Sequence, residues 1–325
     1  MDPTAIKSIT KGLLTFLPGW QRIRRKEGGG ANSARYCYSV WLRHRTLAAR
    51  TGFISHPDVV AELGPGDSIG TGLAALLSGC KSYLAFDIVP FAALERNLGV
   101  LDELVELFQN RTPIPGAAEF TNLHPDLDNY AFPADLYSEG HLKEALNEVR
   151  VRAIRQVLLN CKAQRCSTVN IRYAAPWDSR EMIEAGSVDM IFSQAVMEHV
   201  DDLPASYEAM YQWLRPGGVM CHEIDFRCHG TARNWNGHWT YSDPIWKIIR
   251  GQRPYFLNRK TCGDHLELIQ NAGFEIVYVQ RKKSEQNIRQ EDLCNGLENT
   301  SNLDLVTSSA YVISRKGQCQ GYFWV

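Results

Sequence analysis

The stretch VVAELGPGDSIGTGLAALLSG, Val59 to Gly79, decides the fold. A short β-branched run meets a cluster of glycines. The glycines open onto an apolar run that ends at Gly79, a residue suited to a helix C-terminus. Strand, glycine turn and helix form the first unit of an α/β sheet, which binds ligands at the carboxyl ends of its strands. The turn reads Glu62-Leu63-Gly64-Pro65-Gly66-Asp67-Ser68-Ile69-Gly70. It lacks GK[ST], so no lysine reaches a phosphate and no hydroxyl is placed for magnesium. Its GxGxxxG spacing is one residue wider than the dinucleotide fingerprint, whose third glycine admits a pyrophosphate. The carboxylates of Glu62 and Asp67 would repel a pyrophosphate and suit a ligand that carries a cation.

S-adenosylmethionine has that character: an ammonium, a sulfonium, a ribose diol and no phosphate. Asp87 ends the second strand, SYLAFDIV, where it can accept both ribose hydroxyls. A purely structural turn also accounts for a lone glycine loop, so the rest of the chain has to decide.

Downstream the pattern alternates. TVNIRY, SVDMIFS and VMCHEIDF read as the third to fifth strands. LPASYEAMYQWL carries Leu203, Tyr207, Met210 and Leu214 on one helical face and stops at Pro216-Gly217-Gly218. HLELIQNAG reads as a helix, and FEIVYVQRK and SSAYVISRK as the last two strands, with little helix between them. The pattern predicts an α/β, Rossmann-like doubly wound seven-stranded sheet, mostly parallel with an antiparallel edge strand and with helical insertions. Two segments break the alternation and read as insertions, at about 98–165 and 227–260. The first includes one helix over HLKEALNEVRVRAIRQVLL. Residues 1–56 form an N-terminal helical extension, with a helix over ARYCYSVWLRHRTLAAR and a flexible joint at Lys26–Gly30. The remaining 57–325 form the main domain.

The sequence resembles the class I S-adenosylmethionine-dependent methyltransferases. ELGPGDSIG resembles that family's first motif, and Asp87 its ribose-binding acidic residue. SVDMIFSQAVMEHVDDL resembles the fourth-strand motif, and YQWLRPGGVMCHEIDF the helix, Pro-Gly-Gly turn and fifth strand. The match runs in order over about residues 58–225. It implies S-adenosyl-L-methionine as cofactor, held by Glu62, Gly64, Pro65, Gly66, Ser68, Gly70, Asp87, Ile88, Ser193 and Gln194. Relatives place an Asp soon after the third strand to bind the adenine amino group; here the segment is IRYAAPWD. Trp177 either stacks on the adenine or joins the core, and Asp178 takes the hydrogen bond. The first insertion and the segment NWNGHWTYSDPIWKIIRGQRPYFLNR also resemble a subgroup linked with polysaccharide or natural-product biosynthesis.

Methyl transfer is an in-line displacement that depends on holding acceptor and methyl close and aligned. A hydroxyl acceptor also needs a base. His199, in MEHVDD after the fourth strand, is the first candidate. Asp225 ends the fifth strand and is expected to orient His199, with His222 as the alternate base. His222 and Ile224 share one strand face, Glu223 and Asp225 the other. His222, Glu223, Asp225, His229 and His238 could instead bind a divalent ion. No tight ligand motif supports that use, and no metal is expected. Trp235, Trp239, Tyr241, Trp246 and Tyr255, beside Asn234, Asn236 and His238, suit a sugar or form a buried cluster that pins the loop. Arg35, Tyr36 and Tyr38 are placed to close over the cofactor.

Composition narrows the class further. The chain has 325 residues, 44% hydrophobic and 22% charged, with a net charge of -1, which gives no electrostatic case for nucleic acid. Nine scattered cysteines with no CxxC pair read as free thiols in a reducing cytoplasm. No run of 18 apolar residues is present. The basic segment Ala5 to Gly30 lacks a cleavage site and packs on the domain, forms a loosely ordered arm or rests on a membrane surface. The expectation is a cytoplasmic methyltransferase acting at a hydroxyl oxygen of a small molecule or glycan. The alternatives are N-methylation of an amine, a non-catalytic scaffold that keeps the fold, and a nicotinamide oxidoreductase.

Overall fold

The computed structural model describes residues 2–18, 31, 33–53, 55–88, 94–159, 168–177, 180–285 and 288–318. Its seven strands are β1 (Val59–Leu63), β2 (Ser82–Phe86), β3 (Asn170–Ala174), β4 (Val188–Gln194), β5 (Leu214–Asp225), β6 (Phe274–Lys283) and β7 (Thr307–Lys316). They form one sheet in the order β3-β2-β1-β4-β5-β7-β6. β1 to β5 pair in parallel, and β7 runs antiparallel to both β5 and β6. The reversed direction expected at this edge is therefore present. The strand that carries it, β7, lies one in from the edge.

Strand alternation divides two cores. Val60, Tyr83, Ala85, Met190, Phe192 and Cys221 face one layer. That layer holds α2 (Ala34–Arg50), α3 (Gly70–Leu77), α4 (Leu94–Gln109) and α6 (Glu148–Leu159). Ala61, Leu63, Leu84, Phe86, Ile191 and Ile224 face the other, which holds α7 (Leu203–Trp213) and α9 (Cys262–Asn271). Three helix starts have a local cause. Ser33 caps α2, Asp202 caps α7 ahead of a proline in its first turn, and Thr261 and Asp264 form a capping box at α9.

Two helices differ from the sequence expectation. α4 continues the alternation past residue 98, because Leu101, Leu104 and Phe108 recur at helical spacing and are fully buried. The first insertion therefore begins after Gln109. The long helix expected over residues 141–159 is broken at Leu146-Asn147 into α5 (Glu139–Ala145) and α6.

α2 forms over the residues expected and lies inside the domain. The Trp41 indole N–H donates to Ser78 Oγ (2.8 Å) at the end of α3. Gly70 packs so closely that a Cβ there would lie 2.5 Å from Cys37 Sγ. Arg43, fully buried, is the strut for the first insertion. Its guanidinium donates to the carbonyls of Leu123 (2.8 Å), Pro125 (2.6 Å) and Pro115 (2.8 Å), and to Ser39 Oγ (3.0 Å).

α1 (Pro3–Leu14) packs on α8 (Asp243–Arg250) within the second insertion. It turns small residues inward and large ones outward: Ala5, Ser8, Gly12 and Thr15 are buried, while Ile6, Leu13, Phe16 and Leu17 are more than half exposed. Gly12 is required there, since a Cβ would overlap the Ile248 carbonyl oxygen. The basic residues Arg22 to Lys26 and the joint at Lys26–Gly30 lie outside the described residues. No helix among the described residues is long and apolar enough to cross a membrane.

Arg43→Met is expected to lower stability by at least about 3 kcal/mol. Each hydrogen bond to a buried charged group contributes about 1.5–3 kcal/mol, and three carbonyls lose their donor. Chemical denaturation checks this; an unchanged midpoint would contradict the strut.

Candidate functional site

Strand order reverses between β1 and β4, so the chain leaves them in opposite directions and opens a crevice at their carboxyl ends. The register aligns Leu63 with Phe86, Phe86 with Ala174, Leu63 with Ser193, and Gln194 with Glu223 along that edge. The glycine turn leaves from there. Gly64 and Gly66 sit at φ +65° and +73°, and a Cβ on Gly64 would lie 2.6 Å from Val196, on the loop after β4. Glycine is thus what lets the two loops meet.

Asp87 lies across the turn and is almost fully buried. One carboxylate oxygen accepts the Ile88 N–H (2.7 Å) and the other the Gly66 N–H (3.3 Å). The Asp87 carbonyl accepts the Trp177 N–H (2.8 Å). This ties together the turn, the end of β2 and the loop after β3. A carboxylate fixed beside a glycine-rich turn fits a ribose diol and an adjacent methionine moiety.

Several expected cofactor contacts have other uses in the fold. Glu62 shares its strand face with Val60, beneath α3, and not with the turn. It accepts the Tyr83 O–H (2.5 Å), and burial pushes its carboxyl up to about 8. Ser68 is buried and donates to the Ala31 carbonyl, and it also accepts the Gly70 N–H (3.1 Å). Ser193 is bonded to His222 Nδ1 (2.7 Å). Gln194 meets His44 (3.1 Å) and donates to the His124 carbonyl (2.9 Å), fastening α2 and the first insertion to β4. Trp177 is half-buried and packs against Phe86 and Trp213. Asp178 lies outside the described residues. Pro65 stands between the two strained glycines.

At the other end of the crevice a polar cluster forms. β4 leads through Ala195, held at φ +53°, into a 3₁₀ turn, Met197–His199. The second insertion clasps that turn. The Asn258 side chain donates to the carbonyls of Met197 (2.8 Å) and Val200 (3.1 Å), and its backbone N–H to that of Glu198 (2.8 Å). His199 faces His229 with ring centroids 5.3 Å apart. Burial and the neighbouring His229 press His199 down to about 4, so its imidazole is neutral at pH 7.

The expected pairing of Asp225 with His199 is not formed. Asp225 accepts from His229 Nε2 (3.1 Å) and, in bidentate fashion, from Arg227 (Nε 2.8 Å, Nη2 2.7 Å). Burial pushes its carboxyl up, but these bonds outweigh burial and hold it well below the usual carboxylate range. His229 reaches Asp225 because it follows the strand by four residues and adopts φ +46° ahead of Gly230. The Asp–His pair therefore uses the histidine of DFRCHG.

His222 is not at this site. It points to the opposite sheet face, as the strand period requires, and burial presses it down to about 3. His238 is buried against the rings of Trp239 and Trp246. The five-residue metal set weighed from sequence is thus not assembled. Trp239, Tyr241 and Trp246 are buried, so the aromatic segment pins its own loop, and only Tyr255 of that group is well exposed.

Sequence reasoning passed over Glu198. It is 3% exposed, and neither carboxylate oxygen has a well-formed hydrogen bond. Burial, then Glu223 and Asp225, push it far above the usual carboxylate range. Burial and Asp225 push Glu223 up to about 8. From the N-terminal side, Tyr36 packs edge-on against Phe120 of the first insertion, ring centroids 5.7 Å apart. Arg35 instead pairs with Glu119 (2.6 Å), and Tyr38 donates to the Thr112 carbonyl (2.7 Å). Six cysteines among the described residues are free and buried.

Glu62 carries a pH signature. Its folded-state value near 8 lies above the ordinary 4.5, so the folded state binds the extra proton and its stability falls as pH rises from about 4.5 to 8. Glu62→Gln removes that slope, so the variant is expected to gain on the parent between pH 5 and pH 9. Melting temperatures at the two pH values check this; an equal difference at both would refute it.

A methyltransferase-domain family model matches residues 59–279. No curated protein matches. Solved structures include a SAM-dependent methyltransferase from Methanosarcina mazei (12% identity, TM-score 0.43, 83% of this chain and 97% of that one). A second, from Mesorhizobium loti, has 15% identity and a TM-score of 0.39 over 84% and 96%. Phosphoethanolamine N-methyltransferase 2 from Haemonchus contortus, solved with S-adenosyl-L-methionine, has 16% identity and a TM-score of 0.42 over 87% and 57%. The family match spans most of the chain, and the strand order, strained glycine turn and Asp87 agree with it; the chain belongs to the class I methyltransferases that use S-adenosylmethionine.

Proposed function

We propose that this methyltransferase acts on a small molecule or glycan and methylates a hydroxyl oxygen that loses its proton beside His199. The observation that carries the reading is the placement of two facing imidazoles, His199 and His229, at the edge that also bears the glycine turn. The cofactor supplies an electrophilic methyl on a sulfonium. The O–CH₃ bond forms as the S–CH₃ bond breaks, the electron pair returns to sulfur, and the hydroxyl proton departs. The chain's part is alignment and making the hydroxyl easier to deprotonate. Asp87 and the Gly64–Gly66 turn fix the donor. The clasped turn at Met197–His199 fixes the acceptor side, and burial keeps His199 neutral and able to take part.

A second reading rests on Glu198 and Glu223. Glu198 is a buried carboxylate with no hydrogen-bond partner, and Glu223 is a second buried carboxylate; such groups favour a positively charged guest, and a small-molecule amine is one. An amine attacks from its neutral form and depends less on a base.

Two variants separate the parts. Asp87→Ala is expected to weaken S-adenosylmethionine binding about 100-fold by calorimetry, since two charge-assisted hydrogen bonds at about 1.5 kcal/mol each are lost. Binding at the parent's strength would put the ribose elsewhere. His199→Ala is expected to lower kcat at least about 100-fold on a hydroxyl acceptor and to leave cofactor affinity unchanged. Unchanged turnover would favour the amine reading.

A further inference from the structure

We infer that Glu198, His199 and His229 form a divalent-cation site at the acceptor end of the crevice. This rests on the methyltransfer reading above and specifies how the hydroxyl is activated. One potential ligand atom from each residue lies within 4.8 Å of the other two. A carboxylate with two imidazoles on one side of an ion leaves its remaining positions for oxygen ligands, a donor set suited to first-row divalent metals.

The independent observation is Glu198. A carboxylate buried to 3% exposure with both oxygens short of hydrogen bonds is a costly arrangement, and such groups are normally paired or bound to a metal. Two further buried carboxylates, Glu223 and Asp225, end β5, the strand beside β4. Among the described residues, the guanidinium in this cluster is Arg227, and Asp225 already takes it with two bonds. His199 Nδ1 is likewise buried without a hydrogen-bond partner.

The surrounding contacts are those a metal site uses. Asp225 accepts from His229, which fixes the ring as a carboxylate behind a metal-bound histidine does. The clasp by Asn258 fixes Glu198 and His199. His229 is exposed at the crevice and gives an ion a way in. An acceptor hydroxyl bound to the ion becomes more acidic. Its proton passes to solvent, the oxygen takes the methyl, and the electron pair of the S–CH₃ bond stays with sulfur. No redox change is involved.

The test is Mn²⁺ binding to the full chain after treatment with a chelator. Electron paramagnetic resonance reads bound ion, and calorimetry of S-adenosylhomocysteine runs in parallel. One Mn²⁺ per chain is expected, competed by Mg²⁺. Glu198→Gln and His229→Gln should each weaken binding at least about tenfold, and Asp225→Asn, acting through His229, about 10–100-fold. His229 is exposed, so its variant is expected to fold even where Glu198→Gln does not. A chain that binds S-adenosylhomocysteine but no Mn²⁺, or whose affinity survives both ligand variants, would overturn the site and leave methyltransfer standing. A chain that does not bind S-adenosylhomocysteine would count against methyltransfer itself, whatever the ion result.

Discussion

Everything at this site depends on the approach of two loops at the point where strand order reverses. The turn after β1 and the loop after β4 leave the sheet in opposite directions, and they touch where Gly64 meets Val196. A side chain on Gly64 would force them apart. It would also move the turn off Asp87, which holds it through the Gly66 N–H. The same contact sets where the Met197–His199 turn begins, and so where Glu198 and His199 lie. One backbone position thus couples the donor's seat to the acceptor's.

The insertions are fastened to that frame by polar groups that are buried or half-buried. Arg43 ties the first insertion to α2 through backbone carbonyls. Gln194 links β4 to both. Asn258 ties the second insertion to the turn after β4. Burying these groups costs desolvation, and the cost is offset only because their hydrogen bonds are made. Satisfied in this way, they hold the site's loops with less freedom than apolar contacts would. The Glu198 carboxylate is the exception to this satisfaction, and that is why it marks the place where a charged guest is received.

Much of the frame is written locally. Period-two alternation in VMCHEIDF foretold that His222 and Asp225 would face opposite sides, and glycine spacing foretold a phosphate-free cofactor. Side chains with two possible employers were harder to read. Glu62, Ser68 and Gln194 stand where a cofactor would meet them, yet Tyr83, Ala31 and His44 claim them, and those partners lie in other segments. Asp225 found His229 because a left-handed backbone at a non-glycine residue turned that ring back. No sequence pattern announces such a conformation. α1 misleads in another way. Its small residues face inward because α8 comes so close, so its large apolar residues are left outside.

The most direct measurement is a crystal structure of the protein with S-adenosylhomocysteine. The account predicts both ribose hydroxyls on the Asp87 carboxylate and the sulfur turned toward His199 and His229, with room for an acceptor between them. A cofactor with its ribose away from Asp87, or its sulfur directed away from the two histidines, would contradict it.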